Sequence, residues 1–307
     1  MILSEKQNIY KSISAAMFLF GNIALLVPYN NAKKGEFTGF ILAFFVSLAL
    51  YFLYVFILKK IKTAKIGNGF YAVGIVLIFL CLFVSAVTAN HYIDYISADV
   101  LIKSRKIFSL LGFGVVNIFL ITKSKNTLLK FSGITFCFTV ISLIILLLLS
   151  FDNLDGNNFN SLFVGNIKGI AQSSLKYLYK AFLFPFVFAV FSVFCFDNTS
   201  QKNDIIGFII GFLMLSVCFL SATLTFSLSE ASAMTHAYPI SISVILVGQL
   251  FTRMDGMAYF IFFFSALIKA AICGFSVKAI LEKMNAKNPT AVTCLLVSLS
   301  VLVSYIT

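Results

Sequence analysis

An apolar run from Gly256 to Val277 is long enough to cross a bilayer, yet it carries an ammonium, Lys269, near its middle and follows Arg253 and Asp255. A charge at that depth is costly and faces a polar cavity or a partner rather than lipid. Two roles are open to Lys269, with the hydroxyl of Ser265 one turn before it. It responds to protonation, as buried lysines do, or it is a structural cation held by backbone carbonyls. Either role requires other segments to bring polar groups to mid-membrane.

Candidates for those groups are few. Gly21-Asn22 interrupts the first apolar run, and Pro185 interrupts the sixth, within Phe184-Pro185-Phe186-Val187. Glycine lets a helix unwind, and proline removes one of its hydrogen bonds. The freed backbone groups need a ligand, an ion or a neighbouring helix, because lipid offers none. Gly21 also fits a second reading, close packing between helices. Thr88 and Tyr92 share a helix face at i and i+4, either lining a cavity or lying at the outer interface beside His91 and Asp94. Tyr238, Pro239, Arg253 and Asp255 bracket the entrance to the charged run and are expected to form an outer gate.

Catalysis finds no support. His91, Asp94, Glu230, His236, Arg253 and Asp255 are not paired by spacing, and there is no phosphate-binding glycine loop or nucleophile motif. A membrane glycosyltransferase or polymerase needs such groups converging on one face, so the chain is read as a non-enzyme. The six cysteines stand singly in or beside apolar runs, without metal-ligand spacing. No cofactor or metal is expected.

The composition says what positions these residues. With 60% hydrophobic and 11% charged residues the chain departs far from a soluble domain. Its apolar runs do not alternate as barrel strands do, so they are helices. The net charge of +12 resides in lysines of short loops, such as Lys59, Lys60, Lys62 and Lys65, and Lys123, Lys125 and Lys130. Lysines so placed orient a membrane protein with those loops and the N-terminus in the cytoplasm; they do not form a nucleic-acid stripe.

Taken in order, Met1–Lys11 reads as a polar lead-in, and spans follow to about Phe151. Residues 152–176 read as an external loop with a short surface helix near Ile167–Leu175. The stretch Tyr238–Phe251, about 14 residues, suits a re-entrant helix better than a span. Counting it so leaves Lys278, Lys283 and Lys287 inside. Interruptions in the first and sixth spans are the pointer to a binding site between two inverted repeats.

Ser4 and Gln7, Phe20-Gly21-Asn22-Ile23, Val27-Pro28, Phe184-Pro185-Phe186, Tyr238-Pro239 and Phe251-Thr252-Arg253-Met254-Asp255 before Lys269 resemble the spore germination permeases. These GerAB/GerKB-type proteins are the B subunits of nutrient germinant receptors, within the amino acid/polyamine/organocation transporter superfamily. That family continues Gly-Glu after Phe-Pro-Phe, where this chain has Val187-Phe188. It also carries one more helix after the last run.

The resemblance implies a nutrient, such as an amino acid, bound among Gly21, Asn22, Thr88, Tyr92, Phe184, Pro185, Phe186 and Val187. It implies Lys269, with Ser265, standing where sodium-coupled members hold an ion between the first and eighth helices. Partner A and C receptor subunits are implied too, in a cell membrane or spore inner membrane. A stand-alone secondary amino acid permease is the alternative. The expected fold is all-α: one polytopic domain over residues 1–307, an inverted-repeat, broken-helix bundle of about nine spans plus one re-entrant helix.

Overall fold

A computed structural model describes residues 2–22, 35–63, 68–96, 106–179, 185–196, 201–234, 238, 241 and 255–306. The regular elements among them are helices: α1 Ile2–Phe20, α2 Glu36–Thr63, α3 Asn68–Tyr95, α4 Lys106–Thr122, α5 Lys125–Ser150 and α6 Phe159–Phe163. Then come α7 Ile167–Tyr177, α8 Pro185–Cys195, α9 Gln201–Thr225, α10 Leu228–Ala233, α11 Asp255–Lys283 and α12 Pro289–Ile306. Five of them (α2, α3, α5, α9 and α11) are long and apolar enough to cross a membrane, and α4, α8 and α12 are shorter apolar helices. Phe45, Phe79, Ile134 and Leu148 stand exposed on α2, α3 and α5. Such a surface is ordinary against lipid and costly against water. The protein is an all-α, multi-pass membrane bundle.

The N-terminal segment departs from its expected form. It is helical from Ile2 rather than a polar lead-in, and Lys11 is buried within the bundle. The burial is tolerated because Asp204 of α9 lies 2.9 Å from its ammonium. Packing makes the approach possible: Gly207 and Gly211, one turn apart on α9, leave room for the backbone of α1. A methyl group on Gly211 would lie 2.6 Å from the Ala16 carbonyl oxygen. Small residues at this spacing are how membrane helices come close.

α1 then stops at Phe20, short of the length expected for a first span. The Gly21 N–H still donates to Met17 O at 2.9 Å, but the Asn22 N–H turns back to Leu19 O at 3.1 Å, tightening the last turn. The Asn22 amide also donates to Leu19 O at 3.0 Å. The side chain therefore satisfies a carbonyl that the end of the helix leaves open.

Pro185 is the first described residue of α8, and the five residues before it, 180–184, lie outside the described ones. α7, expected on the surface, packs along α2, as α8 does. Gly169, Ser173, Ser174 and Tyr177 give α7 a buried face. Gly39 of α2 meets that face so closely that a methyl there would lie 2.7 Å from Ser173 Cβ.

One end of the bundle is rich in lysine. Lys62 donates to the carbonyls of Val193 and Phe196 at 2.7 and 3.1 Å, and Lys125 to that of Cys195 at 2.7 Å. Both cations sit where the C-terminal end of α8 leaves carbonyls unsatisfied and partly negative. The opposite end carries Asp94, paired with Lys106 at 2.8 Å on the surface.

Candidate ligand site at the broken first helix

Lys269 is the middle residue of the 29-residue α11. Its side chain is 1% exposed, and its ammonium donates to Asn22 Oδ1. Asn22 thus has two tasks, with its amide nitrogen closing α1 and its amide oxygen receiving the cation. The ammonium also lies against a helix C-terminus, whose dipole favours positive charge. Gly21 completes the junction: a methyl there would lie 2.8 Å from the Ser265 carbonyl oxygen and 3.1 Å from Lys269 Cβ. Both readings of Gly21, helix end and close contact, are realised at one position. Gly21, Asn22, Ser265 and Lys269 are therefore brought together, although the Ser265 hydroxyl itself donates to Phe262 O at 3.0 Å.

α8 approaches the same junction. Phe188, in its first turn, packs on Phe18 at 5.5 Å and on Phe208 at 5.4 Å. The C-terminal end of α1 and the first described turn of α8 are thereby neighbours. The carbonyls at the end of α1 give the junction a partly negative wall. Pro185 and Val187 are buried there. Phe186 turns away to Tyr54 of α2, with rings 4.7 Å apart, and does not join the others. Phe184, Pro239 and Arg253 lie outside the described residues, as does the expected re-entrant helix beyond Tyr238 and Ser241. Asp255 opens α11, but only its backbone is described.

Thr88 and Tyr92 are buried within the bundle, near the end of α3. Thr88 donates to Val84 O at 2.7 Å within α3. The Tyr92 hydroxyl donates to that of Tyr259 at 3.1 Å, and its ring packs on Phe113 and Phe263. Tyr259 is ten residues from Lys269 along α11, or about 15 Å of helix rise. Tyr92 therefore belongs to an aromatic layer beyond the junction. Tyr238 joins the same side, 6.5 Å from Phe262, which stacks on Tyr95 at 4.6 Å.

Comparison with family models and with curated proteins returns no match to this chain. The site must be read from its own geometry.

Two buried charged clusters were not anticipated. Asp204 accepts from Lys11 at 3.0 Å, Tyr51 at 2.7 Å and Ser192 at 2.7 Å. This network joins α1, α2, α8 and α9 near the lysine-rich end. The available signal was Tyr51 inside an apolar run and an aspartate one turn into the next helix. The second cluster surrounds Glu36 in the first turn of α2, which is 2% exposed and accepts from Ser173 of α7 at 2.8 Å.

Proposed function

We propose that this chain is the membrane-embedded recognition subunit of a spore germinant receptor, with a small nutrient of the amino acid class bound where α1 breaks. The observation that carries the reading is the meeting of Lys269 with Asn22 at the end of α1. Carbonyls at the end of α1 suit the ammonium group of such a ligand. In this reading the two broken crossings belong to two inverted repeats, as in transporters whose sites lie between discontinuous helices. Lys269 fills the place of a coupling cation, favouring recognition over ion-driven uptake. Tyr238 and the Tyr92–Tyr259 layer cover the site from the outside. The lysine-rich end and the N-terminus face the cytoplasm. A and C receptor subunits complete the assembly.

The test is equilibrium binding of labelled amino acids to the purified chain, with co-purification of A and C subunits from the native membrane. Saturable binding of an amino acid that is weakened at least tenfold by Asn22→Ala, together with recovery of both partners, supports the proposal. Saturable uptake by the chain alone in vesicles contradicts the receptor reading, and absence of binding contradicts the site.

A further inference from the structure

Neighbouring lysines at the lysine-rich end of the bundle are placed in two ways. Lys62 and Lys125 reach inward to the carbonyls at the end of α8. Lys60 and Lys123 lie outward and exposed, and neither takes part in an ion pair among the described residues. Each instead folds back over a phenylalanine ring one turn before it. The Lys60 ammonium lies 4.4 Å from the centre of the Phe56 ring, and that of Lys123 lies 4.7 Å from the centre of the Phe119 ring. Helix-end carbonyls that could draw these cations inward are already taken. Thr63 donates to Lys59 O and Lys60 O at 3.2 and 3.0 Å, and Thr122 donates to Phe119 O at 2.8 Å.

The rings face outward as well: Phe56 is 57% exposed and Phe119 58%. Each closes a stripe of exposed apolar side chains, Phe45, Phe52 and Phe56 on α2, and Phe108, Val115 and Phe119 on α4. Their sequence spacing keeps each stripe on one helix face, and on a multi-pass bundle such a face meets acyl chains. The lysine continues each stripe by one more turn. α2 packs on α7 and α8, whereas α4 packs on α11 and α12. Two helices in different parts of the bundle therefore share one pattern, an apolar track with a cation at its end.

We infer that these two tracks bind anionic phospholipids, with an acyl chain along each stripe and the headgroup phosphate at Lys60 or Lys123. A cation attracted to an aromatic face stays beside it, and here that face is turned to lipid. The ammonium is thereby held at the boundary between acyl chains and headgroups, where long basic side chains end when they snorkel. A soluble acidic partner would instead meet lysines such as Lys202 and Lys287, which are exposed at the same end without a ring beneath them. Lys60 and Lys62 share the last turn of α2. A lipid at Lys60 therefore steadies the turn that carries the contact to α8. Neither site depends on the receptor reading.

The experiment is native mass spectrometry of the full chain released from micelles that contain phosphatidylglycerol and phosphatidylcholine with the same acyl chains in equal amounts. The wild type is expected to retain phosphatidylglycerol, one molecule for each track, at concentrations where phosphatidylcholine is lost. The attraction of one lysine to an anionic membrane surface corresponds to roughly a fivefold change in affinity. Lys60→Met and Lys123→Met should therefore each weaken one of the two binding steps by about that factor, and Lys60→Arg should preserve it. Lys202→Met/Lys287→Met removes two exposed charges from the same end and should leave both steps unchanged. Equal retention of the two lipids by the wild type overturns the proposal. So does an equal loss in Lys60→Met/Lys123→Met and in Lys202→Met/Lys287→Met, which would make the preference a property of total charge. Displacement of the lipid by inorganic phosphate at constant ionic strength also overturns it, because the lysines would then hold a free anion.

Discussion

The bundle buries two lysines, Lys11 at 2% and Lys269 at 1% exposure, and treats them differently. Lys11 meets a carboxylate, and the same carboxylate takes hydrogen bonds from Tyr51 and Ser192, so four helices are tied through one balanced network. Lys269 meets a neutral amide at the point where α1 has run out of helix. A buried ion pair whose carboxylate also takes two hydroxyl hydrogen bonds has little reason to rearrange. An ammonium that donates to an amide at a helix end is, in the proposed reading, one for which an incoming anionic or zwitterionic group competes. Burial alone therefore does not separate a structural cation from a functional one; in the proposed reading the identity of the acceptor does.

The sharpest way to break this contrast is at Lys11. Lys11→Met removes one partner of the buried pair and strands Asp204, which should cost about 3–5 kcal/mol. It should appear as a large fall in folded yield and in thermal midpoint in detergent. Replacing both partners, as Lys11→Met with Asp204→Leu, should recover much of that loss, because no charge is then left buried alone. If the single variant is as stable as the wild type, the network is not what holds α1 against α9.

Gly21→Ala comes next. Its methyl would push on the Ser265 carbonyl at 2.8 Å and on the Lys269 stem. Overpacking of this kind costs about 1–3 kcal/mol, and ligand affinity should fall with it, since the junction must open. A variant that loses neither stability nor affinity would move the ligand away from this junction. The smallest effect is expected in the aromatic layer. Tyr92→Phe removes one hydroxyl pair, worth about 0.5–1.5 kcal/mol, and should leave affinity nearly unchanged while speeding ligand release if the layer is a cover.

Much of this arrangement was legible in the residues. Lys269 in mid-span and Gly21-Asn22 in the first apolar run were visible because charge and chain-breaking residues are rare in lipid, and the structure brings these three together. A proline in a long apolar stretch reads equally as a kink or as a helix start; the structure shows the helix from Pro185 onward and places it, like α7, along α2. The helix near Ile167–Leu175 was legible, but its packing was hidden by composition, because Gly169, Ser173 and Ser174 look like surface residues until a close partner such as Gly39 is in place. The pairs Lys11–Asp204 and Glu36–Ser173 are separated by long stretches of sequence. No local pattern links their members, and hydropathy treats a buried charge near a helix end as part of the adjoining loop.

The most direct measurement is Lys269→Met, followed by calorimetry of amino acid binding and by thermal unfolding of the same preparation. Methionine fills similar volume without a charge, so the fold should survive with a midpoint at or near that of the wild type, unlike Lys11→Met. Binding of the preferred amino acid should weaken at least tenfold. Unchanged binding with unchanged stability would show that the cation at the end of α1 is only structural filling, and the contrast between the two lysines would be void.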